Sequence, residues 1–164
     1  MDKNILNANS DIYLAYGYLM LPCSLNIISK IRIGTETFFS KKGYHVSLLR
    51  LKDLSEPDQK EVLNVSRKYP VKLKEITKIY RLVKEENRRT IIVRVRLQGL
   101  TKLISAVNNH FGYNFVYPPT HITLFALKDM DGGIGVNLAS EYKRLTHQIS
   151  QKDSKRLTSS FKLI

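Results

Sequence analysis

Apolar positions along this chain switch between two rhythms, and the switches mark its elements. Ile91, Val93, Val95 and Leu97 make one face of a period-two pattern and Arg94 and Arg96 lie on the other, as in a strand with one buried face. Leu100, Leu103, Ile104 and Val107 recur instead at helical spacing and Gly112 follows them, so Leu100 to Phe111 predicts an amphipathic helix with a glycine stop. Asp11 to Leu21 predicts a first strand closed by Pro22. Residues 24–39 fit either a short helix opening at Ser24 or the loop or strand favoured by Gly34 and the Thr and Phe residues after it. Lys41 to Leu51 predicts a strand. Ser55, followed by Glu56 and Asp58, predicts the N-cap of a helix reaching about Tyr69, before Pro70. Val71 to Val83 and Thr90 to Leu97 then form a long hairpin around Glu85-Glu86-Asn87. Tyr113, Phe115 and Tyr117 alternate before Pro118-Pro119 and a strand ending at Leu127. Asp129 to Gly135 reads as a glycine-bearing turn, Leu138 to Ile149 as a last helix, and residues 150–164 as a polar, basic, mobile tail whose end, from Phe161, has the residues to dock. Strands and helices leading to one apolar strand, then a similar set leading to another, predict an α+β fold over residues 1–149.

Two of these strands carry the same chemistry. Tyr44-His45-Val46-Ser47-Leu48-Leu49 and Thr120-His121-Ile122-Thr123-Leu124-Phe125 each set a hydroxyl two residues after a histidine. In an extended strand His45 and Ser47 share one face, as do His121 and Thr123, while Val46, Leu48, Ile122 and Leu124 point into a core. Two imidazoles and two hydroxyls facing one cleft supply a general base, a general acid and neutral donors to anionic oxygens. The blander alternative is that each histidine is a hydrogen-bonded structural residue on a half-buried strand. His110 and His147 lack a hydroxyl at that offset and suit a helix end and a polar surface.

In these residues the chain resembles the two-histidine phosphoesterases, the LigT-like superfamily of RNA 2′,3′-cyclic phosphodiesterases and 2′-5′ RNA ligases. The matching segments are His45-Val46-Ser47-Leu48 and His121-Ile122-Thr123-Leu124, 76 positions apart (121 − 45), a separation that fits the family. The resemblance covers roughly residues 10 to 150. It implies a bilobal fold, two pseudo-symmetric lobes of antiparallel sheet with flanking helices around a central cleft. It also implies catalytic His45 and His121, phosphate-binding Ser47 and Thr123, and metal-independent hydrolysis without a cofactor. Many members carry an arginine five residues after the second histidine, where this chain has Ala126; the first motif has Arg50 at that offset. An odd offset turns Arg50 away from His45 unless a bulge or a strand end intervenes.

Composition narrows the setting. A 43% apolar chain of 164 residues can bury a proper core. The single cysteine, Cys23, cannot close an internal disulfide and reads as a buried thiol in a reducing compartment. No apolar run is long enough to span a bilayer, and the polar start lacks the layout of a secretory signal, so the expectation is a soluble, cytoplasmic monomer. Neither motif has neighbouring carboxylates or thiolates to hold a metal.

A net charge of +13, from 27 Lys and Arg against 14 Asp and Glu, predicts attraction to polyanions, RNA first among them. Lys42 and Arg50 near the first motif, and Tyr44 and Tyr117 beside the two, are candidates for contact with phosphate and base. Three functions remain open on this reading. They are hydrolysis of RNA 2′,3′-cyclic phosphate ends, a cyclic mono- or oligonucleotide phosphodiesterase with the same dyad, and a non-catalytic RNA-binding module.

Overall fold

The computed structural model describes residues 5–6, 11–128 and 132–162. Positions 129–131, at the start of the glycine-bearing turn, and the last two residues of the expected tail lie outside them. In chain order the elements are β1 (Ile5–Leu6), β2 (Tyr13–Ala15), β3 (Tyr18–Leu25), β4 (Lys30–Ile33), β5 (Glu36–Ser40), β6 (Tyr44–Arg50), α1 (Glu56–Ser66), β7 (Lys72–Glu85), β8 (Arg88–Gln98), α2 (Leu100–Phe111), β9 (His121–Leu127), α3 (Ala139–Leu145), β10 (Thr146–Gln148) and α4 (Gln151–Ser160). The fold is α+β. One large antiparallel sheet runs in the order β1-β3-β6-β9-β8-β7-β10, with β2 on β3 and the β4–β5 hairpin joined through β5 to β9.

The expected first strand is two. Tyr16 and Gly17, with φ of 53° and 76°, form the turn between β2 and β3, since two consecutive positive φ values suit the twist of a tight hairpin. Pro22 does not close that strand; it lies inside β3, opposite His45, between the stretches that pair with β2 and with β1. The undecided segment 24–39 holds the β4–β5 hairpin, turned at Gly34 with φ 60°. Ser55 caps α1 as its sequence indicates, accepting from the Asp58 amide at 3.2 Å, but the helix ends at Ser66, and 67–69 turn before Pro70. The α2 helix has the expected limits, with Gly112 at φ 71° closing it.

The expected last helix is shorter, because Thr146 to Gln148 leave α3 to pair with β7 as β10. Arg81 fixes that switch, its guanidinium donating to both Thr146 Oγ1 and the Thr146 carbonyl. The expected mobile tail is a helix as well. Ser150 caps α4 by accepting from the Asp153 amide, Leu157 is fully buried, and Phe161 bridges back to Ile27.

Helices α1, α2 and α4 cover one face of the sheet. Val62, Leu103, Val107 and Leu157 meet Val46, Leu48, Ile122 and Leu124 there in the main core. On the other face Ile134, Val136 and Leu145, from the segment leading into α3 and from α3 itself, cover Val83 and Ile92 in a smaller cluster. The rest of that second face is where the motif side chains emerge.

Candidate active site

Motif strands β6 and β9 are neighbours in the sheet, joined antiparallel at the pair Val46↔Ile122. Both of these residues are completely buried in the core. One step to either side, antiparallel register sets His45 against Thr123 and Ser47 against His121, and pleating turns all four to the opposite face. Side chains directly opposite one another in such a ladder have Cβ atoms about 4.5–5.5 Å apart. Burial alternates accordingly, with His45, Ser47, His121 and Thr123 half-buried between fully buried Val46, Leu48, Ile122 and Leu124.

Each motif strand contains one extra residue at the same place. In β6 the register shifts between Leu19↔Leu49 and Met20↔Ser47, leaving Leu48 without a partner on β3. The shift in β9 falls between Ile91↔Phe125 and Ile92↔Thr123 and leaves out Leu124. Leu48 and Leu49 both enter the core, as do Leu124 and Phe125. The consequence is that Arg50 returns to the side of Ser47, as a bulge allows at an odd offset, and Ala126 takes the matching place after Thr123. Arg50 is exposed and ion-paired to Asp53 at 2.7 Å.

His121 is held by its surroundings. Its Nδ1–H donates to the Pro119 carbonyl at 2.7 Å, which leaves Nε2 as the nitrogen available for proton transfer. Burial lowers its pKa below the ordinary histidine range; the Pro119 bond opposes this, while the charges of Arg94 and His45 add to it. Burial, then Lys41, lowers the pKa of His45 as well. That each imidazole's surroundings are cationic, and that His121 senses the charge of His45, reflects how closely the groups converge.

Other sequence candidates divide between the site and the rest of the fold. Tyr117, half-exposed on the segment before β9, lies close enough to Thr120 and Arg94 for both to lower its phenol pKa against the upward effect of burial. Tyr44 points away from His45, packing on the core beside Cys23, whose thiol burial pushes up to about 12. Lys42 is exposed on the connection before β6. His110 lies in the last turn of α2, its ring edge-on to that of Phe111, and His147 is exposed on β10.

Sequence reasoning weighs an arginine face on the 90–97 strand as a nucleic-acid surface or a wet sheet face, and reads 132–135 as a turn, but places neither beside the motifs. Arg94 is the direct cross-strand partner of His121 on β8. The turn at 132–135 also crosses this face. A Cβ added at Gly133 would come within 3.8 Å of Thr123 Oγ1, and Arg88 latches the turn by donating to the Gly133 carbonyl at 2.7 Å. Alternation in β8 had already put Arg94 on the polar face; only the strand order reveals that this face adjoins the second motif.

A hollow of about 370 Å³ opens beside Ser47 and Arg50. Residues of the segment 114–118, with Asn137, Leu138 and Glu141, contribute to its lining; neither histidine does. Among the described residues no three His, Cys, Asp or Glu side chains converge in a way that could hold a metal ion, and no helix is long and apolar enough to cross a membrane. Compared with protein-family models, curated proteins and solved structures, the chain matches none of them.

Proposed function

We propose that this chain is a metal-independent phosphodiesterase of the two-histidine kind, acting on RNA 2′,3′-cyclic phosphate termini. The observation that carries the reading is the register at Val46↔Ile122, which gathers two histidines and two hydroxyls on one half-buried face. The bulges at Leu48 and Leu124, three residues after each histidine, support treating the two motif strands as halves of a pseudo-symmetric, bilobal arrangement around a central cleft. The cationic surroundings of both imidazoles favour an anionic ligand.

In this mechanism one neutral imidazole removes a proton from the attacking water, and the other, protonated, delivers one to the leaving ribose oxygen. Ser47 and Thr123 donate to the non-bridging oxygens as charge builds on them. The hollow beside Ser47 is of a size to receive the adjoining nucleoside, and the +13 net charge speeds encounter with RNA. The chain acts as a monomer in the cytoplasm and needs no cofactor.

The test is a panel of RNA with 2′,3′-cyclic phosphate ends, cyclic mononucleotides and cyclic dinucleotides, offered to purified protein in EDTA. Hydrolysis of the RNA ends supports the proposal. Hydrolysis confined to cyclic mono- or dinucleotides replaces the substrate but keeps the dyad. RNA binding with no cleavage of any member leaves a non-catalytic binding module.

A further inference from the structure

One strong cation beside the dyad has no anionic partner among the described residues. Arg50, Arg88, Arg89, Arg96 and Arg156 pair with Asp53, Glu85, Glu36, Glu75 and Asp153 respectively, whereas Arg94 takes part in no ion pair among the described residues. It is nonetheless half-buried and fixed in place. Its Nε donates to the Thr120 carbonyl at 3.2 Å, and its guanidinium lies over the Tyr142 ring, 4.7 Å from the centroid. A guanidinium held by one edge and one face keeps its two terminal nitrogens for another acceptor, and a fixed planar fork suits a phosphate's oxygens. Directly across the ladder stands His121, and Tyr117 is near enough to feel the Arg94 charge.

The sequence adds a second, independent reason to look here. The bulges set Arg50 and Ala126 at matching positions, so the His45 side of the site has an arginine at that offset and the His121 side does not. Position 126 has no room for one, since Ala126 is 4% exposed between Thr90 and Phe39. The geometry points to Arg94 as a phosphate-binding residue of this site, holding a non-bridging oxygen of the phosphate that His45 and His121 flank. This inference rests on the phosphodiester reading above.

The test compares wild type with Arg94→Gln, which keeps the packing stem but not the charge, and Arg94→Lys, which keeps the charge. Each is assayed on a 2′,3′-cyclic mononucleotide and on an oligoribonucleotide with the same cyclic end. Arg94→Gln should lower kcat/KM about 10²-fold on both substrates alike, and Arg94→Lys should recover roughly 10-fold of that loss. Among the described residues the charged or titratable groups acting on His121 are Arg94 and His45, so the Gln variant should also move the pH profile of kcat/KM upward. A loss confined to the oligonucleotide would put Arg94 on a neighbouring phosphate, and equal activity in all three proteins would give it no role; either overturns the inference.

A readout free of turnover separates this from the function itself. Adenosine 3′-monophosphate is titrated against each protein while the His121 imidazole signals are followed by NMR. Wild type that cleaves no diester yet binds the monoester in an Arg94-dependent way retracts hydrolysis and keeps the anion site. Equal binding by wild type and Arg94→Gln, or no binding by either, overturns the inference.

Discussion

Lowering the pH should both unbalance the dyad and weaken the fold, through the same two side chains. Burial lowers the pKa of His45 and of His121, with Lys41 adding to the first and Arg94 and His45 to the second. In the unfolded chain both return to about 6.5. Between the folded and unfolded values the unfolded state therefore binds more protons, and stability must rise with pH there. The contribution is fully present above about pH 6.5 and is lost progressively as the pH falls through that value toward the folded pKa of each group. Every unit of depression amounts to about 1.4 kcal/mol per histidine. At this chain length a loss of 1 kcal/mol lowers Tm by roughly 2–4 °C. Thermal unfolding followed by circular dichroism from pH 8 to pH 5 should show a falling Tm in wild type and a flatter slope in His45→Asn/His121→Asn, whose other titrating groups are unchanged. The kcat/KM profile, which reports the free enzyme, should peak below pH 6.5. Identical Tm slopes in the two proteins, or an optimum well above neutrality, would refute the reasoning.

Other substitutions separate chemistry from scaffold. Ser47→Ala and Thr123→Val each remove one neutral donor from the site face, so kcat should fall about 10- to 10³-fold while Tm changes little, as activity and melting curves on the same samples will show. Leu157→Ala empties a fully buried position under α4 and should cost about 2–5 kcal/mol in denaturant unfolding; a near-neutral result would mean that α4 does not dock. Thr90 is completely buried and its hydroxyl has no hydrogen-bond partner among the described residues, so Thr90→Val should be neutral or stabilising by up to about 1 kcal/mol on the same assay.

Local signals in the sequence were reliable where one residue type enforces one geometry. Ser55 and Gly112 bracket helices as their chemistry demands, and alternation in β8 separates Val93 from Arg94. Signals that depend on a neighbour were not readable. Thr146 to Gln148 continue a helical pattern until the edge of β7 offers them a ladder, and Arg81 rewards the switch. Between Ser150 and Ser160 the tail presents Leu157 as its one apolar residue, too thin a stripe to suggest a helix, although Ser150 three residues before Asp153 is a capping signature. Within the site, the strand alternation of His45, Ser47, His121 and Thr123 could be read directly. Their meeting across one ladder, the bulges that bring Arg50 round, and the placing of Arg94 against His121 all depend on strand order and register, which a linear pattern does not contain.

The most direct measurement is the rate at which purified wild type, His45→Ala and His121→Ala open the 2′,3′-cyclic phosphate of a short RNA in EDTA. RNA affinity is measured alongside on the same preparations. The account predicts that wild type cleaves the end and that each variant loses about 10²- to 10⁴-fold in turnover with affinity nearly unchanged, because one proton-transfer partner is gone while the basic surface remains. Wild-type rates in both variants would contradict it.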